Sequence, residues 1–203
     1  KPFMAFAQSY QRKISKKIRT SHDVEESFNL YCELRSAYLL LQDASFAVSY
    51  EALSKEQGRS ADFSVLFRTN TLFHVEVTRL RLSLPEQQLS PQATEEEWEA
   101  LRRNEGRRLT DVVCEKLGQF SANAPNLLWV WSESRVLPQL DVAQLMAALK
   151  RGIEQRDGVL MARYGFTKPA DFVRAFQRLS ALVLLPIAAP GAGRSASLAP
   201  LWW

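Results

Sequence analysis

The stretch "DFSVLFRTNTLFHVEVTRL", Asp62–Leu80, decides how the rest of the chain is read. Phe63, Val65 and Phe67 recur at every second position in its first half, and Phe73, Val75 and Val77 in its second. That is the period of two half-buried strands. Both sets are wholly apolar, so both strands turn them to the same side of a sheet, and a slip of one residue would separate them. The register follows: Phe67 faces Thr71, Val65 faces Phe73 and Phe63 faces Val75. The connecting loop is Arg68-Thr69-Asn70, with Asn70 expected in the left-handed conformation that closes three-residue loops.

Carried one step further, this register sets Asp62 opposite Glu76. Directly opposed side chains have Cβ atoms about 4.5–5.5 Å apart, and like charges there are destabilising. A shared divalent cation removes the conflict, because Mg²⁺ is commonly held by one or two carboxylates plus water and phosphate oxygens. The competing reading is plainer: Asp62 ends a loop and caps the strand, and Glu76 faces solvent beside Arg68, Arg79 or Arg81. His74 lies on the Glu76 side of its strand, where an ordinary hydrogen-bonded histidine competes with a ligand role.

Working outward, residues 3–19 suit a basic helix. Val24, Phe28, Tyr31, Leu34, Tyr38 and Leu41 mark one face of a second helix, from His22-Asp23 to about Gln42. A short strand is expected over Ser45–Tyr50, then a polar loop to the hairpin. The two prolines of "SLPEQQLSPQA", 83–93, predict another loop. Thr94-x-x-Glu97 is a capping box, opening a helix to Phe120 that Gly106 is placed to interrupt. "NLLWVWS", Asn126–Ser132, reads as a strand buried on both faces. Helices over 141–164 and 168–179 and a strand "ALVLLPI" complete the order. Strands separated by long helices need crossovers, whereas the hairpin is antiparallel, so the expected fold is α/β with a mixed sheet and helices on both faces.

The 203 residues are 46% hydrophobic, enough for a sizeable core. The net charge of +4 hides an asymmetry. Residues 1–20 hold Lys1, Arg12, Lys13, Lys16, Lys17 and Arg19 and no acid, which leaves the rest of the chain at −2. Such a segment suits contact with phosphate, or it is only a solvated helix face. Cys32 and Cys114, far apart among apolar neighbours, make neither a disulfide framework nor a zinc cluster, which fits a reducing, cytoplasmic setting. No leader is legible, and no apolar run is long enough to span a bilayer, so no membrane association is expected. "APGAGRS", 189–195, mimics a phosphate loop but has Ala188 and Arg194 where glycine and lysine are required.

Asp62, thirteen residues, then Glu76-Val77-Thr78 on the following strand resembles the motif of the PD-(D/E)XK nuclease superfamily. The order of elements over residues 23–132, a helix, three strands, a helix and a fourth strand, is also similar to that family's core. The resemblance implies a three-layer restriction endonuclease-like fold: a mixed β-sheet flanked by helices, with extra C-terminal helices and a strand. The chain as a whole divides into a basic N-terminal helix or arm over 1–22, one domain over 23–187 and a tail over 188–203.

Functionally, the resemblance implies Mg²⁺- or Mn²⁺-dependent hydrolysis of phosphodiester bonds. Asp62 and Glu76 match the metal-binding acids, Glu33 on the preceding helix is the candidate third ligand, and Glu26 lies two turns earlier. Ala61 stands where the family often has proline. Thr78 falls at the position of the catalytic lysine, a cation that orients the attacking water and stabilises the developing phosphorane. Three replacements are open: a cation from elsewhere (Lys116, Arg107 or Arg79), a metal acting without one, or a catalytically inactive binding module. Arg12, Lys13, Lys16, Lys17 and Arg19 would grip the backbone of nucleic acid, DNA before RNA, without reading sequence. Assembly stays open between monomer and homodimer, since nucleases of this fold often pair to cut two strands.

Overall fold

The computed structural model describes residues 2–51, 61–155 and 158–187, with the backbone alone of 201–202. The phosphate-loop mimic, most of the polar loop after Tyr50 and most of the 188–203 tail lie outside the described residues. The elements run α1 (Pro2–Ser9), α2 (Gln11–Thr20), α3 (Val24–Leu40), β1 (Phe46–Tyr50), β2 (Phe63–Phe67), β3 (Thr71–Leu80), α4 (Leu84–Gln88), α5 (Glu95–Lys116), β4 (Asn126–Ser132), α6 (Val142–Glu154), α7 (Gly158–Arg163), α8 (Pro169–Phe176), β5 (Leu179–Pro186) and β6 (Leu201–Trp202).

The sheet order is β1-β2-β3-β4-β5-β6. β1, β2 and β3 are antiparallel neighbours, β3, β4 and β5 are parallel, and β6 pairs antiparallel with β5. The parallel pairs need the crossovers that α5 and then α6–α8 supply. The hairpin takes the register read from its alternation: Phe67 pairs Thr71, Val65 pairs Phe73 and Phe63 pairs Val75. The left-handed residues of its loop are Arg68 (φ 46°) and Thr69 (φ 70°), not Asn70. Two consecutive positive φ angles, with the Asn70 N–H donating to the Phe67 carbonyl, make the turn that suits strand twist.

Side chains alternate across the sheet into two cores. Leu128 and Val130 of β4 join Leu109, Val113, Met146, Phe172 and Leu182 under α5, α6 and α8. Trp129 and Trp131 of the same strand join Phe6, Cys32, Ala37, Phe63, Val75 and Val77 beneath α1 and α3. β4 is therefore buried on both faces, as its unbroken apolar run requires. The Trp131 indole N–H finds its partner in the buried Ser36 hydroxyl at 2.8 Å.

Five elements depart from the sequence reading. The basic helix over 3–19 is two helices, bent at Tyr10, so that Phe6 and Tyr10 both lie against the Tyr50 ring. The expected loop over 83–93 contains α4, capped by Ser83 and with Pro85 in its first turn, where a missing N–H costs nothing. Gly106 does not interrupt α5; a Cβ there would come within 3.2 Å of Leu145, so the glycine lets α6 approach. The helix expected over 141–164 is α6 and α7, and the one over 168–179 stops at Phe176.

Candidate active site

β2 starts at Phe63, opposite Val75, so Glu76–Leu80 of β3 run on past it. The gap beside β3 is a notch in the sheet, and groups from both faces reach it. Alternation sends Glu76 and Thr78 toward α5 and sends Val77 and Arg79 toward α3. Asp62, the residue before β2, turns its carboxylate into the notch and accepts a hydrogen bond from the Val77 N–H at 2.8 Å. A cavity of about 290 Å³ opens there, lined by Glu33, Asp62, Glu76, Thr78, Arg79 and Lys116, with Asn29, Cys32, Val77 and Arg81.

Glu76 is 6% exposed and pairs with Lys116, whose Nζ stands 2.7 Å from Oε1. Lys116 is the last residue of α5 and also reaches Gln119 at 3.4 Å. Of the three candidate cations it is the one that meets the acids. Arg107 does not line the cavity. Arg79 does, but its guanidinium is held by Glu25 at 2.8 Å and by Glu133, and it lies over the Phe28 ring. Thr78 lines the cavity with a hydroxyl and no charge.

Asp62 is pushed up to about 8, first by burial and then by the charges of Glu76 and Glu33; the Val77 N–H and Lys17 oppose the rise. Cys32 is raised to about 11 by burial, so its thiol keeps its proton and offers no nucleophile. His74 is buried against the Ser64 hydroxyl at 3.1 Å, an ordinary internal hydrogen bond, and burial lowers its pKa. Glu26 accepts from the His22 N–H and serves the start of α3.

Glu33 lines the cavity, but its Oε2 already accepts from Lys17 and from the Tyr50 hydroxyl. Asp62, Glu76 and Glu33 thus share one space without forming a ready-made centre. Among the described residues no group of three or more His, Cys, Asp or Glu side chains is placed to hold a metal ion. The donor chemistry still fits a hard cation. Asp62 and Glu76 each tie one carboxylate oxygen to a protein donor, and no described residue donates to the other oxygen of either. Two such oxygens with water and phosphate make a Mg²⁺-type set.

The basic N-terminal residues separate into two groups. Lys17 is spent on Glu33 and Glu51, and Lys13 donates to the carbonyls of Tyr50 and Glu51. Arg12, Lys16 and Arg19 are exposed. Sequence reasoning missed Tyr50 as a residue of this region; nothing local in "SFAVSY" marks the tyrosine. No described helix is long and apolar enough to cross a membrane. Comparison with family models, with curated proteins and with solved structures finds no match to the chain.

Proposed function

We propose that the protein is a metal-dependent nuclease on a restriction endonuclease-like core, hydrolysing phosphodiester bonds of nucleic acid, DNA first, with Mg²⁺ or Mn²⁺. The observation that carries this reading is the Lys116 ammonium, 2.7 Å from Glu76 in the cavity that also holds Asp62. Aspartate and glutamate at a strand gap are common. With a lysine delivered from another element to the same space, they make a hydrolytic set that lacks only the motif's usual chain position. The order of strands, three antiparallel and then a parallel neighbour after a helix, supports the same reading.

The divalent cation, when bound, supplies an activated water and screens phosphate charge. Asp62 and Glu76 hold it. The Val77 N–H fixes the Asp62 carboxylate, which frees its second oxygen for binding. Lys116 offers a charge to the phosphoryl oxygens as negative charge grows there, and its tether to Glu76 sets its position. Thr78 adds a hydroxyl at the cavity wall.

Two observations favour a second reading, a catalytically inactive module of this fold that binds nucleic acid or a protein partner. Thr78 occupies the lysine position, and the Glu76–Lys116 pair neutralises both partners. A nicking assay on supercoiled plasmid with Mn²⁺ separates the two. The nuclease reading expects nicking by the wild type and a loss of about a hundredfold or more in Glu76→Gln and in Lys116→Met. Plasmid binding without nicking by the wild type selects the inactive module.

A further inference from the structure

Glu33 is gripped on one side only. The Lys17 ammonium from α2 and the Tyr50 hydroxyl at the end of β1 donate to the same oxygen, Oε2, at 2.8 and 2.5 Å. No described residue donates to Oε1, on a side chain that lines the cavity of Asp62 and Glu76. The terminal torsion of a glutamate is normally broad. Two donors converging on one oxygen remove that freedom and fix where the other points.

Both donors are themselves held. Tyr50 is 1% exposed, with the rings of Phe63, Tyr10 and Phe6 at 5.4, 5.9 and 6.2 Å. Lys17 is anchored a second time by Glu51 at 2.8 Å and lies 4.9 Å over the Tyr50 ring. Phe6 and Tyr10 belong to α1 and the bend after it, and Lys17 to α2. The N-terminal segment therefore supplies one donor to this carboxylate and packs against the other.

We propose that Tyr50 and Lys17 are positioning residues that turn Glu33 so that its second oxygen serves the Asp62–Glu76 cavity as a further donor to a divalent cation. The inference rests on the nuclease reading, through its metal. It divides the basic segment between two roles, since Arg12, Lys16 and Arg19 remain for phosphate while Lys17 belongs to the site.

The test is a calorimetric titration of Mn²⁺ into the full chain and into Tyr50→Phe, Lys17→Met, Lys17→Arg, Glu33→Gln, Glu76→Gln and the double variant Tyr50→Phe/Glu33→Gln. Thermal midpoints recorded alongside identify any variant that fails to fold. The expected result is a loss of about tenfold in Mn²⁺ affinity for Tyr50→Phe and for Lys17→Met, the scale typical of groups that orient ligands. Lys17→Arg retains the affinity, and Tyr50→Phe has no further effect once Glu33 is glutamine. Wild-type affinity in Tyr50→Phe, with binding abolished in Glu76→Gln, overturns the positioning role and leaves the nuclease reading standing. Additive losses in the double variant overturn it as well. Absence of Mn²⁺ binding by the wild type overturns the metal itself and this role with it.

Discussion

Asp62 keeps its proton to a higher pH than a carboxyl in water, because ionising it in the notch means burying a charge beside Glu76 and Glu33. The sign of the consequence is fixed. An unfolded aspartate releases its proton near pH 4, roughly at 3.9. The folded one holds it until about 8. Between those limits the native state binds a proton that the unfolded state lacks, so stability falls as pH rises. Below pH 4 the penalty is absent, and above 8 it stops growing. Urea unfolding of the metal-free protein across this window is expected to show a downward slope contributed by Asp62. In Asp62→Asn the slope flattens, while the amide oxygen still accepts from Val77. A slope unchanged in the variant would place the burden on another group. The residues that meet at this point were legible only in part. Asp62 opposite Glu76 follows from hairpin register, and Lys116 was one of three candidate cations. Tyr50 and Lys17 were not found as partners of Glu33, since they lie 17 and 16 positions away and no local spacing encodes either contact.

At the scale of elements, alternation was the strongest signal. Every hairpin pair read from the apolar set is present, because a slip of one residue would bring one strand's three large side chains to the wrong face. The breaks were not legible. Nothing at Tyr10 resembles a helix stop; the bend is imposed by the aromatic cluster on Tyr50. The helix over 84–88 did leave a trace, since Ser83 and Glu86 have the capping spacing, but two prolines outweighed it. The N-terminal segment, read as a helix or arm, proves to be packed. Phe6 is 7% exposed in the core beneath α3. Phe6→Ala is expected to cost about 3 kcal/mol, the scale for emptying a buried phenylalanine site. The shift of the urea midpoint measures it, and a shift near zero would make α1 a loose arm.

Across the whole molecule, the sheet does two jobs with one geometry. Its centre is closed by helices on both faces, and its short second strand leaves the notch where the faces communicate. α3 brings Glu33 from one side and α5 brings Lys116 from the other, so no single layer contains the site. A motif read along one hairpin therefore reaches Asp62 and Glu76, while Thr78 stands where the resemblance expects lysine. Lys116 lies forty residues on from Glu76, in a helix, and only the three-dimensional arrangement brings the two together. The central claim is that Asp62 and Glu76 hold a divalent cation beside Lys116. Anomalous diffraction at the manganese edge, from crystals grown with Mn²⁺, tests it most directly. The account predicts a peak within the Asp62–Glu76 cavity that disappears in Glu76→Gln. Manganese bound only elsewhere, or nowhere, with the cavity otherwise intact, would contradict it.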